Sequence, residues 1–227
     1  LKQLAKSHDI PLILDCAYGQ PFPGIVFTDA SFSWDENTIL CLSLSKLGLP
    51  GVRTGIIVAR EDVIELLTSA NAIYSLAPGS FGPTLARRLV ENREIMRLSQ
   101  ETIRPWYQRR SRLAVEIALE SMADLPLRIH DSEGAIFLWF WFEGLPVSSE
   151  VLYQRLKARG VYVIAGHHFF PGLRDNWRHQ EECIRVSYAA PEDELRRGIQ
   201  IIADEVRQAF KMSRRAGTTQ ELAGCPR

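Results

Sequence analysis

Three short, nearly uninterrupted apolar runs organise the first sixty positions. Residues 10–15 end in the carboxylate of Asp15, Thr38–Ser43 ends in a hydroxyl, and residues 53–58 open with Arg53. A continuous apolar run of this length is the pattern of a strand covered on both faces, as in a parallel sheet. In open α/β sheets ligands bind beyond the carboxyl ends of the strands. Asp15 and Ser43 are therefore expected at a site on which the three strand ends converge.

The period then lengthens to that of helices. Residues 61–70 read as a helix, residues 74–83 as a loop by their Pro and Gly content, and residues 84–122 as a long charged helix that Pro105 bends or restarts. Residues 134–142 are strand-like, 148–159 a capped helix, 161–164 and 184–189 strands, and 192–210 an amphipathic helix. The tail from Lys211 has little periodicity and is expected to be disordered. Residues 1–8 are amphipathic but begin without a cap. They are expected to be the end of a helix that starts outside the chain, which would make the chain a C-terminal fragment.

Composition narrows the classes. The 227 residues are 46% apolar and 24% charged, enough for a real core, and Lys+Arg equals Asp+Glu at 27 each. Such balance leaves no global field to attract nucleic acid or an anionic membrane, so neither is expected as a partner. No run approaches the roughly 18 apolar residues of a membrane span. Cys16, Cys41, Cys183 and Cys225 show no metal spacing and are too sparse for a disulfide scaffold, which suggests a reducing cytoplasm.

The densest chemistry is Ser43-Leu44-Ser45-Lys46, followed by Pro50-Gly51-Val52-Arg53 and preceded by Asp15-Cys16-Ala17-Tyr18. A lysine amine can form a Schiff base with an aldehyde cofactor. Two hydroxyls and an arginine fork suit a dianionic phosphate, and a carboxylate suits a protonated pyridine nitrogen. The ordered set therefore reads as a pyridoxal 5′-phosphate pocket, with Tyr18 placed to donate to the ring oxygen. Ser-x-x-Lys also occurs in class A β-lactamases, but the Ser-Asp-Asn and Lys-Thr-Gly strings that reading needs are absent. Arg185, read as opening a buried strand, is costly without an anionic partner and is expected to bind a substrate carboxylate. His167 and His168 invite a metal, but adjacent loop histidines are expected to point apart, and no third ligand stands near in sequence. No metal is expected, and the loop is assigned to the pocket wall of a small domain. Trp139 and Trp141, alternating within the run from Phe137 to Phe142, are expected to pack.

These strings, with Ser75-Leu76-Ala77-Pro78-Gly79, Gly134-Ala135-Ile136-Phe137-Leu138-Trp139 and Ile184-Arg185-Val186-Ser187-Tyr188, occur in an order that resembles the class I/II aminotransferases of pyridoxal-phosphate fold type I. The resemblance covers residues 1 to about 210. It implies an α/β fold: residues 1–95 as the C-terminal half of a large domain with a mostly parallel sheet, 96–122 as an interdomain helix, 123–210 as a small α/β domain, and 211–227 as the tail. It further implies that Lys46 carries the cofactor and shuttles a proton, that Asp15 and Tyr18 contact the ring, that Ser43, Ser45 and Arg53 bind the phosphate, and that Arg185 holds the substrate carboxylate. The reaction implied is ping-pong amino transfer between an aliphatic amino acid, valine or alanine, and a 2-oxo acid, by a homodimer. Relatives carry further N-terminal residues with a Gly-rich phosphate loop and ring contacts. Two rival expectations share the motif: the aminotransferase-like sensor of a transcriptional regulator, and a cofactor enzyme of other reaction type such as a β-lyase.

Overall fold

The computed structural model describes residues 1–30, 33–173, 175 and 177–223, with side chains through residue 213. The chain separates into two compact units, one of Leu1–Gln108 with Glu133–Ala135, the other of Arg109–Ser132 with Ile136 onward. The division falls within one helix, between Gln108 and Arg109.

The first unit holds α1 (Lys2–Ser7) and a three-stranded sheet of β1 (Leu12–Cys16), β2 (Thr38–Ser43) and β3 (Gly55–Val58), in that order. β1 and β2 run parallel, with Asp15 opposite Cys41, whereas β3 returns antiparallel, with Gly55 opposite Ser43. Reversal of β3 follows from the short link after β2, too short for the crossover that a parallel neighbour requires. It brings the start of β3, not its end, beside the carboxyl ends of β1 and β2. The expectation of strands covered on both faces fails outside β2. Ile13 is 63% exposed and Ile57 44% exposed. Alternate residues of β2 (Thr38, Leu40 and Leu42) are buried, and Leu40 and Leu42 pack with Leu44, Phe22, Ala86 and Ile95 in the core of this unit.

Helices α2 (Glu61–Ser75), α3 (Phe81–Glu91) and α4 (Glu94–Arg97) follow. The Gly- and Pro-rich stretch read as a loop is helical at both ends, because Pro83 falls in the first turn of α3, where its missing N–H would have no helical partner. The long helix breaks at Asn92 and Arg93, not at Pro105. Ahead of Pro105 the backbone widens into a π-helical stretch, Leu98–Ile103, before α5 (Arg104–Ser121). A wider turn relieves the clash between a proline ring and the preceding carbonyls.

The second unit carries an antiparallel sheet in the order β4 (Leu127–Ile129), β5 (Phe137–Phe142), β7 (Cys183–Ser187), β6 (Ile164–Ala165). α6 (Ser149–Ala158) is capped by the Ser148 hydroxyl, which accepts from the Val151 N–H at 3.3 Å. α7 spans Glu192–Ala223. The tail expected to be disordered from Lys211 is thus helical as far as Ala223, in keeping with its Ala, Arg, Gln, Glu and Leu content; residues 224–227 lie outside the described residues. Among the described residues no helix is long and apolar enough to cross a membrane.

Candidate active site

Ser43 ends β2, and Lys46 sits at the centre of the 3-10 turn Ser45–Leu47 that follows. Fully buried Leu44 anchors this turn. Its N–H donates to the Thr54 carbonyl at 3.2 Å, and its carbonyl accepts from Leu47 at 3.1 Å and Leu49 at 3.2 Å. Gly48 closes the turn at φ +105°, a conformation that glycine adopts without strain. The strand therefore delivers Lys46 at its carboxyl end on a short, anchored arch.

The Lys46 amine lies 5.4 Å from the centroid of the Tyr18 ring. Among the described residues no carboxylate forms an ion pair with it. Tyr18 follows β1 in a bend tied by Gly19 N–H to Cys16 O (3.1 Å) and Ile25 N–H to Tyr18 O (2.9 Å). Asp15, the fourth residue of β1, accepts from the Ala17 N–H at 3.0 Å. Its charge, after burial, raises both Cys16 and Cys41 above the ordinary thiol range, as expected of a carboxylate beside both side chains. Because Asp15 pairs with Cys41 and Ser43 lies two residues further along β2, Asp15 and Ser43 share a sheet face about 8 Å apart by strand geometry.

Ser43 Oγ accepts from the Ser45 N–H at 3.2 Å, so its proton remains available to an anion. Arg53 stands in the left-handed region at φ +46° and donates from Nη1 to the Pro50 carbonyl at 3.2 Å. It is exposed and turned onto its own loop. The structure thus brings together Lys46 and Tyr18, and sets Asp15, Ser43 and Ser45 around the same strand ends.

Arg185 belongs to the second unit. It is the third residue of β7, an inner strand, with Trp139 on one side and Ile164 on the other, and not the strand opener that the sequence suggested. Its guanidinium carbon lies 3.9 Å from the Phe137 centroid and 5.0 Å from that of Phe169. Aromatic faces take the place of a carboxylate partner, and among the described residues no acid is paired with it. The residue lines a cleft with Tyr153, Val163, Ala165, His168 and Phe169.

Several contributors were not visible in the sequence. Tyr107 is raised by burial and by nearby Tyr18, which places it beside the Lys46 and Tyr18 cluster from 89 positions away. Phe137 and Phe169 clamp Arg185 from separate segments. The histidine expectation is also corrected: His167 and His168 do not splay apart but have ring centroids 4.0 Å apart, and Glu150 stands beside them as a third candidate ligand.

The family model described as aminotransferase class I and II matches residues 1–202, and the chain belongs to that family. Within it, the chain is 46% identical over 213 residues to the valine–pyruvate aminotransferase of Escherichia coli (strain K12), covering 94% of this chain and 51% of that protein. Its structure resembles that of a putative amino-acid aminotransferase from Psychrobacter arcticum 273-4, with TM-score 0.89, 50% identity, and coverage of 92% of this chain and 48% of the other. It also resembles the valine–pyruvate aminotransferase of Salmonella typhimurium LT2, with TM-score 0.87, 46% identity, and coverage of 92% and 54%. The chain spans about half the length of the relatives it matches, and its α/β fold is that of the fold type I aminotransferases.

Proposed function

We propose that this chain serves a pyridoxal 5′-phosphate-dependent aminotransferase that exchanges the amino group between valine or alanine and a 2-oxo acid, pyruvate or 2-oxoisovalerate, in amino-acid biosynthesis. The observation that carries the reading is the Lys46 amine: it is presented at the mouth of β2 against Tyr18, without an acidic partner among the described residues. The likeness to two valine–pyruvate aminotransferases supports the choice of substrates.

The donor set fits the cofactor. Asp15 keeps one carboxylate oxygen beyond its bond to Ala17 and suits a protonated ring nitrogen. Ser43, on the same face two residues along β2, and Ser45, in the turn that follows, suit a phosphate, and Arg53 joins them by turning its fork from Pro50. Tyr18 suits the ring oxygen. Bound there, the cofactor supplies an aldehyde that condenses with amines and a ring that accepts an electron pair.

Lys46 would hold the cofactor covalently through its Nζ. With substrate bound, the same Nζ would serve as the base that takes and returns a proton at the substrate Cα. Asp15 would stabilise positive charge on the ring nitrogen, the condition under which the ring draws electron density from the substrate. Arg185 binds the carboxylate of amino acid and 2-oxo acid alike, which suits a ping-pong exchange in which the first oxo acid leaves before the second arrives. In this reading residues 1–95 belong to the cofactor domain, 96–122 to a connector and 123–210 to the small domain.

A homodimer in the cytoplasm belongs to the same proposal. Exposed Ile73, Tyr74, Leu76 and Phe81 offer apolar area to a second copy, and Cys16, Cys41 and Cys183 are free thiols, as a reducing compartment favours. The test is borohydride reduction of the protein loaded with pyridoxal phosphate, followed by peptide mapping. Label is expected on the peptide containing Lys46; label on another lysine with Lys46 unmodified rejects the assignment.

A further inference from the structure

We propose that Glu150, His167 and His168 form a binding site for a divalent transition-metal ion of the zinc class. One ligand atom from each lies within 4.8 Å of the others, and among the described residues this is the one such group of three. Two imidazoles and one carboxylate are a recurring protein ligand set for zinc, which then keeps a fourth position for water or another donor. Imidazole nitrogen selects zinc, copper or nickel over magnesium and calcium, which prefer all-oxygen shells.

The backbone explains the convergence. Glu150 occupies the first turn of α6, where Ser148 caps the helix and fixes its entry. His167 and His168 lie in the 3-10 turn Gly166–Phe169, directly after β6. Gly166 makes that turn approach closely: a side chain there would meet the Cys183 and Gln180 carbonyls at 2.6 Å. The close approach seats the two histidines over the start of α6.

Each buried or half-buried ligand is also oriented from behind, as metal ligands are. Ser149 Oγ lies 3.3 Å from His167 Nδ1 and donates to the Gln180 carbonyl at 3.4 Å. In the tautomer in which Ser149 donates to Gln180 and accepts from Nδ1–H, His167 Nε2 keeps its lone pair for a metal. Glu150 Oε1 accepts from Gln154 Nε2 at 2.7 Å, which holds the carboxylate along the helix. A tetrahedral ion with bonds near 2.05 Å sets its ligand atoms about 3.3 Å apart, so closure requires side-chain rotations of at most about 1.5 Å. The ion would tie the Gly166–Phe169 turn to α6, and so hold the segment that carries Phe169.

The test uses chelator-treated protein, dialysed against zinc chloride and separately titrated with cobalt(II). One zinc per chain is expected, together with a rise in melting temperature and a cobalt spectrum of nitrogen and oxygen ligation. His168→Ala and Glu150→Gln should each weaken binding about 10-fold or more, and Ser149→Ala about 10-fold through loss of ring orientation. His168 is exposed, so its replacement leaves the fold intact. Absence of zinc uptake, unchanged affinity in the His168→Ala and Glu150→Gln proteins, or a thiolate-to-cobalt charge-transfer band pointing to the cysteines would each overturn the site.

Discussion

The guanidinium of Arg185 stacks on the ring of Phe137, its central carbon 3.9 Å from the ring centroid, with Phe169 contributing a second face at 5.0 Å. Rings solvate a cation without consuming its hydrogen-bond fork, and among the described residues no hydrogen bond from Arg185 takes up its donors, which suits a carboxylate. An acid in their place would neutralise the charge that the proposed carboxylate contact requires. Under the proposed function, packing falls to the faces of this side chain and recognition to its edge.

Arg185→Lys keeps the charge but loses both the fork and the planar stack. KM for valine and for pyruvate should each rise about 10-fold or more, given roughly 1.5–3 kcal/mol for a hydrogen bond to a charged group, while affinity for pyridoxal phosphate hardly changes. Parallel steady-state kinetics and cofactor titration check this. Unchanged KM values, or a loss confined to cofactor affinity, would remove Arg185 from the substrate site.

At Asp15 a single substitution separates local structure from charge. Asn retains a carbonyl oxygen that can accept from the Ala17 N–H, so the bend after β1 should survive. The negative charge is lost. Asp15→Asn is expected to melt close to the wild type and retain much of its cofactor affinity, yet to slow transamination by about 100-fold or more, the scale for removing one preorganised electrostatic group. Turnover at the wild-type rate would make the carboxylate merely structural.

The same residues show how far the sequence is legible. Lys46 could be placed because an apolar run ends at Ser43 and a Gly-rich turn begins at Gly48, both local signals. Asp15 closes another such run. The antiparallel return of β3 could not be read, because residues 53–58 have the same apolar pattern in either direction and only the pairing of Gly55 with Ser43 decides it. β4 is three residues long, too short for a period to register. Glu150 and His167 are 17 positions apart, and Phe137 and Arg185 are 48 apart; such meetings are set by tertiary packing that no window along the chain contains.

Gly82 controls the approach of α3 to the segment beside Lys46. A Cβ there would lie 1.8 Å from Thr54 Oγ1, 2.9 Å from Thr54 Cβ and 3.2 Å from the Val52 carbonyl. Thr54 in turn accepts from Leu44, the anchor of the lysine turn. Gly82→Ala should therefore destabilise the protein by about 1–3 kcal/mol despite the better helix propensity of alanine. Thr54→Ala removes the closest obstacle, so the double variant should recover part of the loss, a coupling that a denaturation cycle measures. Additive losses would show that the two side chains do not compete for this space.

Cys183 makes the stability of the protein depend on alkaline pH. It is fully buried on β7 opposite Trp141, with Sγ 3.5 Å from His179 Nε2. Burial pushes its thiol up to about 12 from 9.0; a hydrogen bond involving Trp139 opposes the rise and the Glu182 charge adds to it. The folded state then keeps the proton over a range in which the unfolded chain releases it, so above pH 9.0 the unfolded state binds fewer protons and stability falls as pH rises toward 12. Below pH 9.0 the contribution is fully present. The slope from this one group is at most about 1.4 kcal/mol per pH unit, and half-buried Cys16 and Cys41, also raised, add to it. Denaturant unfolding on either side of pH 9.0 should show Cys183→Ala losing stability less steeply than the parent. The native thiol should also resist alkylation that the unfolded chain accepts. Equal alkaline slopes in the two proteins, or rapid modification of native Cys183, would show that the thiol ionises as readily in the fold as outside it.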